Sequence, residues 1–203
     1  MPNTKKAASK FLANTLRDDN HAFLVDFSTQ PHLAQAATGD VLQLLRSFGT
    51  LEASGATALY DSIVFSLSQL QDATGRRALV LLTDGQDYGS RFGPRRCTEY
   101  ARELGVPVYI VSLAGLYADR RMPRVNDLEG IVGGSGGRIY YITQPEQLDQ
   151  AYAEINAELR SQYVLAFGTE RPLTPDELKS IEVEVHRPGA VARTVVGPSR
   201  PAQ

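Results

Sequence analysis

Two oxygen-bearing side chains stand where an α/β fold gathers its ligands. Asp84 directly follows Ala78-Leu79-Val80-Leu81-Leu82-Thr83, the most apolar strand-like run in the chain. Thr57 stands just ahead of Leu59, Ile63, Leu67 and Leu70, an apolar stripe at helical spacing. In a doubly wound sheet, ligands collect beyond the carboxyl ends of the strands, so two such loops can reach one crevice. A carboxylate and a hydroxyl are hard donors, suited to Mg²⁺ or Mn²⁺, which favour octahedral oxygen coordination. Two side chains alone make a poor cage. The plainer readings are a helix N-cap for Thr57 and a turn for Asp84-Gly85.

Other candidate chemistry is weaker. Gly133-Gly134-Ser135-Gly136-Gly137 matches Gly-x-Ser-x-Gly literally, but a nucleophile elbow needs a strand before the serine and a helix after it. Here the order is reversed, which predicts a helix cap and flexible turn. The same cluster is not a dinucleotide loop, because Ile139 occupies the last glycine position counted from Gly134. His21, His32 and His186 lack zinc-hydrolase spacing. Asp87 is either a support for the Asp84 loop or a solvated turn residue. Cys97 lies on an apolar helical face and packs as a small hydrophobe. Arg91, Arg95 and Arg96, with Arg120, Arg121 and Arg124, are solvated loop charges or a basic rim able to steer an acidic protein partner. No recognised motif or aromatic series accompanies them, so nucleic acid is not the expected partner.

The elements that must position these residues alternate. A helix with Ala8, Phe11, Leu12 and Leu16 inward opens the chain, followed by the strand HAFLVDF and a helix over about Asp40 to Phe48. After the Leu59–Leu70 helix and the strand ending at Thr83 come a helix carrying Cys97, Tyr100, Ala101 and Leu104, stopped by Gly105, and the strand Val106–Leu113. A short helix around Asn126–Val132, the strand Arg138–Ile142 and the stripe Leu148, Tyr152, Ile155, Leu159 complete the alternation. The pattern predicts a doubly wound, mostly parallel α/β sheet with helices on both faces. From Gln162 the runs YVLAF, IEVEVH and VARTVV read as a short C-terminal antiparallel β extension, ahead of a frayed Gly/Pro-rich end. The division expected is residues 1–160, 161–196 and a disordered tail at 197–203.

Composition narrows the classes. The 203 residues suffice for a core that removes roughly 70% of the unfolded surface from water without disulfides or metal. Twenty-one Lys and Arg against 23 Asp and Glu leave a net charge of −2, so no global charge drives the chain onto nucleic acid or anionic lipid. The single cysteine excludes an internal disulfide. No apolar stretch approaches the ~20 residues of a membrane span, and MPNTKKAASKF lacks a signal-peptide core.

At this point the residues carry a resemblance. SGATALYDSI followed by RRALVLLTDGQD looks like the centre of a von Willebrand factor type A (VWA) domain. FLVDFSTQPHL resembles that family's second strand, and GGSGGRIYYI with the helix ending ELRSQYVLAF extends the match over nearly the whole chain. The pattern is most similar to bacterial VWA-related domains, often found in exported proteins. The resemblance implies a Rossmann-like fold and a metal-ion-dependent adhesion site. Thr57 matches its second-loop threonine and Asp84 its third-loop aspartate. The usual Gly-Gly-Thr appears as Gly55-Ala56-Thr57, and the first-loop Asp-x-Ser-x-Ser is absent together with its strand.

That strand is central in the family, between neighbours otherwise about 9–10 Å apart, two strand spacings. Leaving the gap open would orphan backbone groups at about 1–3 kcal/mol each, against a net stability of roughly 5–15 kcal/mol. An N-terminal truncation is expected, with Met1 an internal methionine and the missing part holding the strand, further ligands and any export signal. A C-terminal strand or a partner chain is the rival occupant. The resemblance implies a non-enzymatic protein-recognition module whose Mg²⁺ or Mn²⁺ accepts a carboxylate from the partner, weakly or not at all in this chain. The alternatives are a metal-independent scaffold and a metal-dependent hydrolase or phosphoryl-transfer enzyme using Asp84. Translation of the DNA upstream of the Met1 codon is expected to reveal Asp-x-Ser-x-Ser in frame. A stop codon just upstream, without that motif, defeats the truncation.

Overall fold

The computed structural model describes residues 2–16, 20–51, 57–116 and 125–163, and in the C-terminal part 168–169, 171–174, 177, 181 and 183–186. The order is α1 (Pro2–Thr15), β1 (Ala22–Phe27), β2 (Pro31–Thr38), α2 (Val41–Thr50), α3 (Leu59–Gln69), β3 (Leu79–Thr83), α4 (Pro94–Leu104), β4 (Val108–Ser112), α5 (Val125–Ser135), β5 (Ile139–Tyr141) and α6 (Gln147–Ser161). A single 3-10 turn, Ala114–Leu116, follows β4. Strands β3, β4 and β5 form a parallel sheet in that order, while β1 and β2 form a separate antiparallel pair.

Burial follows from the alternation of side chains along parallel strands. Every residue of β4 is buried. Val108 and Ile110 join Leu79 and Leu81 of β3 in a core closed by Leu59, Ile63 and Leu67 of α3, Cys97 and Ala101 of α4, and Leu128 and Ile131 of α5. Tyr109 and Val111 point the other way, into a second core with Ala7 and Ala8 of α1 and Leu148, Tyr152 and Ile155 of α6. Helices therefore cover both faces, as a continuous apolar strand demands. Local signals set the ends. The Asp40 carboxylate accepts from the Leu42 and Gln43 N–H groups at the start of α2, and Gly105 closes α4 in the left-handed conformation at φ 65°.

Two elements differ from the sequence expectation. Strand β2 was not foreseen, because PHLAQAAT carries small and polar residues in place of an apolar run. Its pairing with β1 supplies what its side chains do not. Helix α5 runs through Gly133 and Gly134 to Ser135. The cluster does cap the helix as expected, with Gly136 at φ 76° and the Gly137 N–H donating to the Val132 carbonyl at 2.9 Å, and its other glycines serve packing. A Cβ on Gly134 would sit 2.3 Å from Thr98 Cγ2 of α4, and one on Gly137 would sit 1.9 Å from the Val108 carbonyl oxygen. Ser135 is fully buried, and its hydroxyl accepts from the Val108 N–H at 3.1 Å and donates to the Val132 carbonyl at 3.2 Å. A serine held this way is a strut.

Among the described residues, β1 pairs with β2 and β3 with β4, and no ladder joins the two sheets. The core is nonetheless continuous beneath α3, since Phe27 of β1 packs on the same cluster as Leu79 and Leu81 of β3. The runs VLAF and VARTVV of the expected C-terminal β extension lie outside the described residues, as does the 197–203 tail, and the described residues 183–186 are not in a strand.

The two kinds of glycine give opposite outcomes. Gly137→Ala is expected to lower unfolding stability by about 1–3 kcal/mol through forced overpacking. Gly133→Ala, inside α5 with nothing within 4 Å of the added carbon, is expected to raise it by up to about 1 kcal/mol. Urea unfolding of both variants checks the pair.

Candidate functional site

The carboxyl ends of β3 and β4 set the location, and hydrogen bonds between loops assemble it. Asp84 leaves β3 in a tight turn: the Gly85 N–H donates to Thr83 Oγ1 at 3.0 Å, and the Gln86 N–H to Asp84 Oδ1 at 3.2 Å. Gly85 is buried at φ 80°, a conformation that disfavours any side chain. The chain then crosses to the start of α3, where the Tyr88 N–H donates to the Thr57 carbonyl at 2.8 Å. The next residue, Ala58, donates its N–H to the carbonyl of Ser28, the residue after β1, at 2.7 Å. The segments bearing Thr57 and Asp84 are thus joined through their backbones. Gly55 and Ala56 lie outside the described residues.

Asp87 turns out to be structural in a specific way. The cap position of α3 is Ala58, which has no capping side chain. Asp87 Oδ1 takes over that role from a distant loop, accepting from the Leu59 N–H at 2.8 Å and from the Ser90 hydroxyl at 2.5 Å. Ser90 Oγ in turn accepts from the Asp61 N–H at 3.1 Å, and Asp61 Oδ1 accepts from the Arg91 and Phe92 N–H groups, both at 2.9 Å. Two carboxylates near the positive end of α3 are electrostatically favoured there. Thr57 itself therefore does not serve as the N-cap of this helix. Asp61, Ser90, Tyr88 and Phe92 were missed in the sequence, although an acid in the first turn of a predicted helix was a usable signal.

The remaining candidates separate. Arg95 pairs with Glu99 at 2.8 Å and Arg96 with Glu103 at 3.2 Å, so neither is a dedicated rim charge. Arg120, Arg121 and Arg124 lie outside the described residues. His21, His32 and His186 are all exposed and belong to no metal-binding cluster among the described residues. Cys97 is fully buried, and burial first, then the Asp61 charge, pushes its thiol up to about 12, so it stays protonated near neutral pH. Ser112, at the end of β4 and in register with Thr83, has a buried hydroxyl without a hydrogen-bond partner among the described residues.

The donors suit a hard divalent cation in kind but not in number. Thr57 and Asp84 contribute oxygens, yet the described residues contain no group of three or more His, Cys, Asp or Glu placed to hold a metal ion. Octahedral Mg²⁺ retains waters but needs more anchoring than one hydroxyl and one carboxylate give.

A parallel sheet covered on both faces, with two loops tied together beyond its carboxyl edge, defines the doubly wound α/β class. Within that class the chain has a VWA-like fold. It is similar to a von Willebrand factor type A structure from Catenulispora acidiphila, with TM-score 0.65 and 19% identity over 80% of this chain and 40% of that one. The SpRpn10 VWA domain matches with TM-score 0.57 and 14% identity, covering 81% of this chain and 87% of the other. An aerotolerance-related membrane protein from Bacteroides fragilis matches with TM-score 0.60 and 16% identity, over 78% and 89%. No family profile and no curated protein matches the sequence. Among the described residues, no helix is long and apolar enough to cross a membrane.

Asp87→Ala removes the α3 cap and the Ser90 acceptor together. A loss of about 1–2 kcal/mol in urea unfolding is expected, with faster amide exchange at Leu59. An unchanged midpoint and unchanged exchange would show that the cap contributes nothing.

Proposed function

We propose that residues 1–160 form a VWA-type recognition module, non-enzymatic, which contacts a protein partner through the loops beyond the carboxyl edge of the parallel sheet. The observation that carries this reading is the joining of the Thr57 and Asp84 loops by the Tyr88-to-Thr57 backbone hydrogen bond. It brings a hydroxyl-bearing and a carboxylate-bearing segment to one end of the sheet, where doubly wound folds bind ligands. Thr57 and Asp84 are the proposed ligand positions for Mg²⁺ or Mn²⁺. A bound cation would supply an open coordination position for a carboxylate oxygen of the partner. With only these two donors, the affinity of the chain is weak. An exported bacterial setting accompanies this reading, supported by the resemblance to bacterial VWA-related domains.

A metal-independent assembly domain is the second reading. It is favoured by the network of Asp61, Asp87 and Ser90, which orders the loop with protein groups alone. Titration of Mn²⁺, followed by water-proton relaxation, distinguishes the two. Weak binding that falls about tenfold or more in Asp84→Ala supports the ligand assignment, since loss of an ionised donor is worth at least ~1.4 kcal/mol. Equal affinity in wild type and variant sinks it. Turnover of a phosphate ester, abolished by the same substitution, would favour a hydrolase instead.

A further inference from the structure

The loop between β3 and α4 combines two properties that oppose each other in a merely connecting segment. Its backbone is fixed. Asp87 and Ser90 bind it to the first turn of α3, and the Arg91 and Phe92 N–H groups are held by Asp61. Yet it carries large apolar surface into solvent: Tyr88 is 68% exposed and Phe92 46% exposed. Folding gains little from aromatic rings left in water, whereas a partner gains from rings already fixed in place, because less conformational entropy is lost on binding. Aromatic residues and arginine are also the types that dominate binding hot spots. The two rings stand four positions apart in the chain, with three residues between them, at most about 14 Å of extended chain and within the footprint of one short peptide.

Arg91, between the rings, is exposed, and no ion pair engages it among the described residues, whereas Arg95 and Arg96 are neutralised by Glu99 and Glu103. The carboxylates nearest it in the loop network, Asp61 and Asp87, are occupied by N–H and O–H donors. Asp61 and Asp87 keep their negative charge but are half-buried and turned onto those donors, so the exposed charge between the two rings is the Arg91 guanidinium.

We infer that residues 86–93 form a preorganised recognition loop for a protein segment presenting an aliphatic or aromatic side chain beside an Asp or Glu. The apolar side chain packs on Tyr88 and Phe92, and the carboxylate pairs with Arg91. Asp61 and Asp87 are positioning residues, holding the loop without touching the partner. This deepens the recognition reading above, sharing its surface but not its metal.

A random-peptide phage library supplies the probe. It is selected on the wild-type chain in EDTA, with counter-selection on Tyr88→Ser/Phe92→Ser. Enriched peptides are expected to carry an acid next to an apolar residue. As synthetic peptides they are expected to weaken about tenfold or more on the double variant and on Arg91→Glu, the size of a hot-spot loss. No enrichment, enrichment of sequences without an acid, or equal binding to the variants overturns the inference. All three substitutions are at exposed positions, and Arg91→Glu carries the comparison alone if the double variant melts early. Because selection is in EDTA, loss of Mn²⁺ binding in Asp84→Ala bears on the metal reading and leaves this one intact.

Discussion

The constraint on which the rest depends is the burial of β4 on both faces. A strand with every side chain out of water must have helices above and below it, and parallel neighbours whose own alternate residues feed two cores. Once α3, α4 and α5 are committed to one face and α1 and α6 to the other, the strand-to-helix connections must emerge at the carboxyl edge. The Asp84 loop lies there as a consequence of the winding, and the Thr57 segment, between α2 and α3, is tied to that loop by the Tyr88-to-Thr57 backbone hydrogen bond. No attraction between those two side chains is required.

The hydrogen-bond network over that edge does work the helix cannot do for itself. α3 begins at Leu59 after Ala58, a residue with nothing to offer as a cap, and the missing acceptor arrives from Asp87 across the turn. Stability of the helix start and order of the loop are therefore the same interaction. A loop held this firmly can display Tyr88 and Phe92 without collapsing onto them. The price is that a change at Asp61 or Asp87 reaches both the fold and the surface.

The division into two sheets shows how far packing and backbone pairing can part company. Leu79 donates to Pro107 and Thr83 accepts from Leu113, so in a parallel ladder the odd-numbered residues of β3 face β4. Val80 and Leu82 accordingly direct their backbone groups to the opposite side, away from β4. Apolar packing under α3 bridges that interval through Phe27. Hydrophobic burial is non-directional and tolerates such a break, while a ladder does not.

The sequence by itself determined the elements whose signals are local. The stripe Leu59, Ile63, Leu67 and Leu70, the αL stop at Gly105 and the apolar run before Asp84 are periodicity and φ preference, properties of neighbouring residues. It also placed Thr57 and Asp84 at the ends of adjacent elements, which sufficed to nominate them. It could not disclose β2, whose polar residues are a strand only because β1 lies beside them. It could not disclose that Gly134 and Gly137 make room for Thr98 and Val108, or that Ser135 is a strut, since those contacts join segments more than 25 residues apart. Nor did it separate Asp87 from an ordinary turn residue. Only the tertiary structure decided that its carboxylate caps a helix 28 residues earlier, because a cap supplied across the fold leaves no spacing to read.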